Sequence, residues 1–270
     1  MLPDQKQTIT QLQSQILRIQ GYRAPGRSGE AGSFDLGPLE GAFPGGVFPS
    51  GALHEFVCEH REGAAATAGF ASALLARLMN GGGTCLWISQ NPRASPSGLA
   101  RFGVHAERVI FVNLARTSDV LWATAEALAC TGLAAVVAEV PKLDFAASRK
   151  LQLAAGCSGV TGLVFLSEAY RASACAARWQ ITPLASGAEQ GMPGVGHPRW
   201  RAELLKVRNG QPGVFQLEWR AGTFVPLAEP GVSEQELQQQ EMRESEPLES
   251  QIRQAELPER AQQAFTRKAG

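Results

Sequence analysis

The sequence predicts an α/β fold built on a mostly parallel sheet, and three observations carry that prediction. From about residue 50 to residue 166, short apolar runs of strand length alternate with stretches of helical apolar spacing. One run, residues 134–140, is apolar until Glu139, as expected of a parallel strand covered on both faces. Beyond residue 176 the pattern changes to period two, the mark of half-exposed antiparallel strands.

Taken in order, residues 1–20 form an amphipathic helix, with Ile9, Leu12, Ile16 and Ile19 recurring at helical spacing. Residues 21–34, rich in Gly, Ser and Arg, are a flexible linker. A helix on a linker either docks on a neighbour or folds back on its own domain, so these four apolar residues are the partner-binding candidates. Residues 35–228 form the core domain. Leu53, Phe56 and Val57 start its first strand, and a helix follows over 64–79. Strands over 84–89, 109–113, 134–140 and 162–166 are separated by helices over 98–102, 120–131 and 145–155. Residues 177–184, 199–207 and 214–219 are the antiparallel strands, the last two joined by Arg-Asn-Gly-Gln-Pro-Gly, a hairpin signal. Residues 186–198 are a Gly- and Pro-rich mobile loop. Residues 229–270, rich in Glu and Gln with few apolar side chains, are a frayed helix or a disordered tail.

The chemically informative stretch is residues 51–67. Its strand–loop–helix layout is that of a phosphate-binding loop, Gly-x4-Gly-Lys-Ser/Thr. Laid on that motif, Cys58 takes the first glycine and Gly63 the second. Ala64 stands where the lysine belongs and Ala65 where the Mg²⁺-binding hydroxyl belongs. Glu59 and Glu62 would repel phosphates. The layout is that of a nucleotide fold whose nucleotide chemistry is gone.

Bulk composition narrows the remaining choices. A formal net charge of zero gives no global drive toward nucleic acid. No apolar run reaches the roughly 18–20 residues of a membrane span, and the N-terminus lacks the apolar core of a secretion signal, so cytoplasm is the expected location. The five cysteines are scattered without a C-x-x-C pair and read as reduced, buried thiols; the four histidines share no metal-ligand spacing. No metal and no cofactor is expected. Trp87, Trp122 and Trp179 fall inside apolar elements and read as core. Arg199, Arg201, Lys206 and Arg208 lie on the terminal strands, as a surface for phosphate backbone or as a solvated sheet edge. By strand alternation Arg199 and Arg201 share a face, as do Lys206 and Arg208.

Several blocks together resemble one family. Residues 45–225 resemble the RecA-type recombinase fold: residues 84–88 its second core strand, Ala100-Arg101-Phe102-Gly103-Val104 and 109–111 its next helix, turn and strand, and residues 135–139 its Walker B strand. Phe48-Pro49-x-Gly51-x-Leu53-His54-Glu55, Leu86-Trp87-Ile88-Ser89, residues 148–155, Ala176-Ala177-Arg178-Trp179 and Pro198-Arg199-Trp200 are similar to the ImuA family of SulA/RecA-like proteins from bacterial mutagenesis cassettes.

That resemblance implies a partner set: an ImuB-like inactive Y-family polymerase, an error-prone C-family DNA polymerase, and RecA itself or self-association through the N-terminal helix. The process implied is damage-induced translesion synthesis, part of the SOS response. It also places a water-activating carboxylate after the second core strand, where this chain has Asn91, and retains an acid, Glu139, at the Walker B place. No catalytic residues are expected, and Cys58, Gly63, Ala64, Ala65 and Glu139 mark a degenerate nucleotide site. The two loops that line DNA in RecA-type proteins are short here, 141–144 and 168–173, the second expected to lead into a helix. The leading expectation is a non-catalytic adaptor with weak or indirect DNA contact. The alternatives are a SulA-like inhibitor of cell division and a residual ATP-dependent recombinase-like ATPase.

Overall fold

A computed structural model describes residues 34–58, 61–91, 94–170, 172–187 and 196–227, with backbone only at 61 and 62. The expected N-terminal helix with Ile9, Leu12, Ile16 and Ile19, the linker, and the tail from residue 229 lie outside the described residues, as does most of the expected loop at 186–198.

Among the described residues nine strands form one sheet: β1 (Leu53–Val57), β2 (Thr84–Ser89), β3 (Val109–Asn113), β4 (Leu133–Val140), β5 (Thr161–Leu166), β6 (Ala177–Gly187), β7 (His197–Val207), β8 (Gly213–Arg220) and β9 (Thr223–Pro226). Their spatial order is β3-β2-β4-β5-β1-β6-β7-β8-β9. Every pairing from β3 through β6 is parallel, and β6 through β9 pair antiparallel. This is the α/β class expected, a parallel core extended by antiparallel C-terminal strands. Among the described residues four α-helices accompany the sheet: α1 (Arg61–Leu78), α2 (Pro96–Ala100), α3 (Thr117–Ala129) and α4 (Phe145–Ser158). Two 3-10 turns, Gly37–Ala42 and Pro44–Gly46, and β9 carry no periodic apolar signal and were not expected.

Burial explains the layering. All five residues of β1 and all six of β5 are buried, as parallel strands require. One face of the sheet packs under α1, where Phe70 meets Phe56, Trp179, Trp200 and Phe224 at ring-centroid distances of 6.3, 5.8, 5.7 and 5.1 Å. That single side chain ties α1 to β1, β6, β7 and β9. The other face is filled by Leu128 of α3 and Leu151 and Ala155 of α4, packed with Val136, Val164 and Leu53. Glycine is required where α4 ends: Gly159 caps the helix in the left-handed region, and a Cβ on Gly51 would sit 3.0 Å from its Cα.

Two core expectations are corrected. Trp122 lies on the solvent face of α3 and is 64% exposed, because its neighbours Val120 and Thr124 point inward instead. Of the cysteines, Cys58, Cys85 and Cys175 are buried but Cys130 and Cys157 are exposed near the ends of α3 and α4. Burial pushes the Cys85 thiol up to about 12 and the Cys175 thiol up to about 11, so both stay protonated at neutral pH. Among the described residues no helix is long and apolar enough to cross a membrane.

Candidate functional site

The C-terminal ends of β1, β2, β4 and β5 border one cleft, where ligands of open α/β sheets bind. It is lined by Cys58, Ala64, Ala68, Asn91, Glu139 and Ser167 among others, and its volume is about 120 Å³. Ordinary small-molecule sites occupy roughly 300–1,000 Å³. The structure thus brings together Cys58, Ala64 and Glu139, three of the five residues assigned to a degenerate nucleotide site. Ala65 is turned outward and exposed.

The local backbone differs from a phosphate loop in a way the residue types did not reveal. The helix was expected to start at residue 64; α1 starts at Arg61, leaving only residues 58–60 between β1 and the helix. A phosphate loop holds its residues outside the helix so that several N–H groups converge on the anion. Here the second glycine position, Gly63, is inside the helix and has no left-handed φ. A Cβ placed on it would lie 3.7 Å from the Ile181 carbonyl, an ordinary contact. The glycine is not shaping a loop.

The polar groups of the cleft serve the protein itself. The Trp87 indole N–H donates to Glu139 Oε1 at 2.7 Å, which ties the acid at the Walker B place to the core of the neighbouring strand. Gln90 donates from Nε2 to the Ala115 carbonyl at 2.8 Å and accepts from the Thr117 hydroxyl at 3.1 Å, fixing the entry to α3. Asn91 is exposed at the rim. A carboxamide there cannot take a proton from water at neutral pH.

The four basic candidates on the terminal strands are all engaged. Arg199 Nε donates to Glu218 at 2.6 Å and Arg201 to Glu203 at 2.5 Å. The Lys206 ammonium donates to the Ser173 carbonyl at 2.5 Å, and Arg208 donates to the Ala174 carbonyl. Arg178 pairs with Lys206 in register while Trp179 pairs with Leu204, so Leu205 is an extra residue, a β-bulge. The bulge resets the alternation: Trp200, Ala202, Leu204 and then Val207 face the core, leaving all four cations on the other face. Two of them clamp the 172–176 segment. That segment leads into β6, not the helix expected, and its Ala174 N–H donates to Ser148 Oγ at 3.0 Å.

Sequence reasoning missed what the resembling blocks do: they meet. β1 and β6 pair with Glu55 opposite Arg178 and Phe56 opposite Trp179. Glu55, fully buried, accepts from Arg178 Nε at 2.9 Å and Nη2 at 2.8 Å on one oxygen, and from Ser173 Oγ on the other. His54 stacks on Phe48 at 4.4 Å; its Nε2 donates to the Pro49 carbonyl at 2.9 Å and its Nδ1 accepts from Trp179 at 3.4 Å. Gln152 of α4 accepts from the Leu53 N–H at 3.0 Å. These motif residues bind one another, and the only signal for it was their polar character inside apolar strands.

Comparison with known proteins places the chain among relatives. No protein-family model matches it. It is 34% identical over 200 residues to Protein ImuA of Caulobacter vibrioides, from strain NA1000 / CB15N and from strain ATCC 19089 / CIP 103742 / CB 15 alike. The match covers 69% of this chain and 82% of each relative. Among solved structures it is similar to the RadB recombinase, with a TM-score of 0.49 at 14% identity, covering 73% of this chain and 99% of that one.

Proposed function

Since the chain belongs to the ImuA family, we propose that it is a RecA-like accessory protein of translesion DNA synthesis that acts by binding other proteins and does not hydrolyse ATP. The observation that supports this reading is the start of α1. Alanines hold the lysine and hydroxyl positions, and residues 61–63, the second half of the would-be phosphate loop, are already helical. Among the described residues that line the cleft there is no cation to offset triphosphate charge, and Asn91 offers no base, which supports a cleft that does not cleave a nucleotide.

The partners proposed are an ImuB-like inactive Y-family polymerase, an error-prone C-family polymerase and RecA, in the cytoplasm. The basic residues of β7 and the loop after it are occupied by internal carboxylates and carbonyls, which favours protein contact over direct DNA contact. The test combines two measurements on the purified full chain. Titration with Mg²⁺–ATP is expected to show neither heat of binding nor phosphate release. Co-expression with the polymerase-like partner is expected to give a complex that survives gel filtration. ATP turnover, or failure to bind any of the three partners, overturns the proposal.

A further inference from the structure

The α3–α4 layer exposes more apolar surface than its role in the fold explains. Trp122 of α3 is 64% exposed and Leu153 of α4 is 59% exposed. The two helices pack side by side, and the Ser158 hydroxyl donates to the Leu128 carbonyl at 2.5 Å, which fixes their relative height. Both helices follow strands of one parallel sheet and so run in the same direction. Measured along the axes from that bond, at about 1.5 Å per residue, Trp122 lies about 9 Å up and Leu153 about 7.5 Å up. They form one patch across adjacent helices. Ile110, 52% exposed, points to the same side of the sheet from edge strand β3, since its neighbours Val109 and Phe111 face the opposite cluster.

The charges around this patch are arranged by height. Glu126 lies about 3 Å up, below the patch, and Lys150 and Arg149 lie about 12 and 13.5 Å up, above it. All three are exposed and make no ion pair among the described residues. The acid and the bases are therefore nearly equidistant from the Trp122–Leu153 level. A two-fold axis in the plane of this face, running diagonally across the two helices through the centre of the Trp122–Leu153 patch, would set patch on patch and bring Glu126 of each copy over the other's Lys150 and Arg149. That is the self-complementarity an isologous contact requires.

We propose that the α3–α4 face is a homodimer surface, with a second copy of this chain as its occupant. Two helices about 20 Å long and about 10 Å apart present roughly 400 Å² per copy, about 800 Å² in all, below the roughly 1,200 Å² of standard stable interfaces and in the range of transient contacts. The dimer is therefore weak, in the micromolar range, and sensitive to salt. It involves neither the cleft nor any polymerase partner.

Sedimentation of the full chain across a concentration series tests this. The wild type is expected to pass from monomer to dimer with rising concentration. Trp122→Glu is expected to weaken the association at least tenfold. So are Glu126→Arg alone and the pair Arg149→Glu with Lys150→Glu alone. Mixing the Glu126→Arg protein with the Arg149→Glu/Lys150→Glu protein is expected to restore a dimer, because each bears what the other lacks. All these side chains are exposed, and circular dichroism checks that each variant is folded. A monomer at every concentration overturns the proposal, as does a dimer indifferent to Trp122→Glu. If Trp122→Glu instead removes a polymerase-like partner from a monomeric protein, the face belongs to that partner and self-pairing is wrong.

Discussion

At the scale of single residues, the polar side chains inside the first strand set the chemistry of folding. His54 is fully buried with both ring nitrogens engaged in the neutral form, and burial lowers its pKa from 6.5 to about 4. Above pH 6.5 neither state binds a proton there and stability is complete. As pH falls from 6.5 toward 4, the unfolded chain takes up a proton that the folded chain refuses, so stability is lost across that window. The loss between pH 7 and pH 5 is expected to be about 2 kcal/mol, read from urea midpoints. His54→Gln should flatten this dependence, and an unchanged slope would show that His54 is not its source. Glu55 makes a second demand. Arg178→Met leaves a fully buried carboxylate without its counter-ion, at an expected cost of about 3–5 kcal/mol. Arg178→Lys should rescue only part of it, since one ammonium cannot reproduce two guanidinium N–H bonds that converge on Oε2. Equal losses in the two variants would mean the guanidinium fork is not what matters.

Among the elements, α1 carries the argument about activity, and it is also where sequence and structure part company. The strands were legible because their apolar runs match their burial: residues 84–89 and 109–113 are β2 and β3 as expected. Helix interiors were legible for the same reason. The start of α1 was not, because the motif alignment assigned residues 61–63 to a loop although Arg and Glu are good helix formers. The cleft was half legible: Cys58, Ala64 and Glu139 meet there, whereas its small size and the Trp87–Glu139 bond depend on strands that are neighbours only in space. The exposure of Trp122 was hidden because an apolar helix with two candidate faces does not say which one the sheet covers. Since Gly63 is helical and has room for a Cβ, Gly63→Ala is expected to stabilise the protein by about 0.5–1 kcal/mol in thermal or urea unfolding. The same change in a working phosphate loop would deform it, so destabilisation would argue that residue 63 belongs to a loop after all. Likewise Ala64→Lys with Ala65→Thr restores the motif residues without restoring the loop. No Mg²⁺–ATP turnover is expected from the double variant, and a measurable rate would show that the two side chains alone had been missing.

For the whole molecule, the decisive feature is that the parallel and antiparallel parts are one sheet. They join at the β1–β6 pairing, where four residue pairs are in parallel register. The Glu55–Arg178 ion pair crosses that seam on one face, and Phe56 stacks on Trp179 at 6.0 Å across it on the other. Phe70 then bridges both parts from α1. With the ion pair on one face of the seam and ring packing on the other, the antiparallel strands share one core with α1 and β1. The two should therefore unfold as one cooperative unit. The probes are separable once Trp87 of β2 and Trp122 of α3 are replaced by Phe: Trp179, Trp200 and Trp219 then report the antiparallel part by fluorescence, while α3 and α4, which lie over the parallel strands, contribute to far-ultraviolet dichroism. Urea midpoints from the two signals are expected to coincide, and Phe70→Ala should shift both together by about 3–5 kcal/mol. A fluorescence transition preceding the dichroism transition would mean that the antiparallel strands fold separately. The seam would then be a docking surface between two folding units, and the buried ion pair would serve register more than stability.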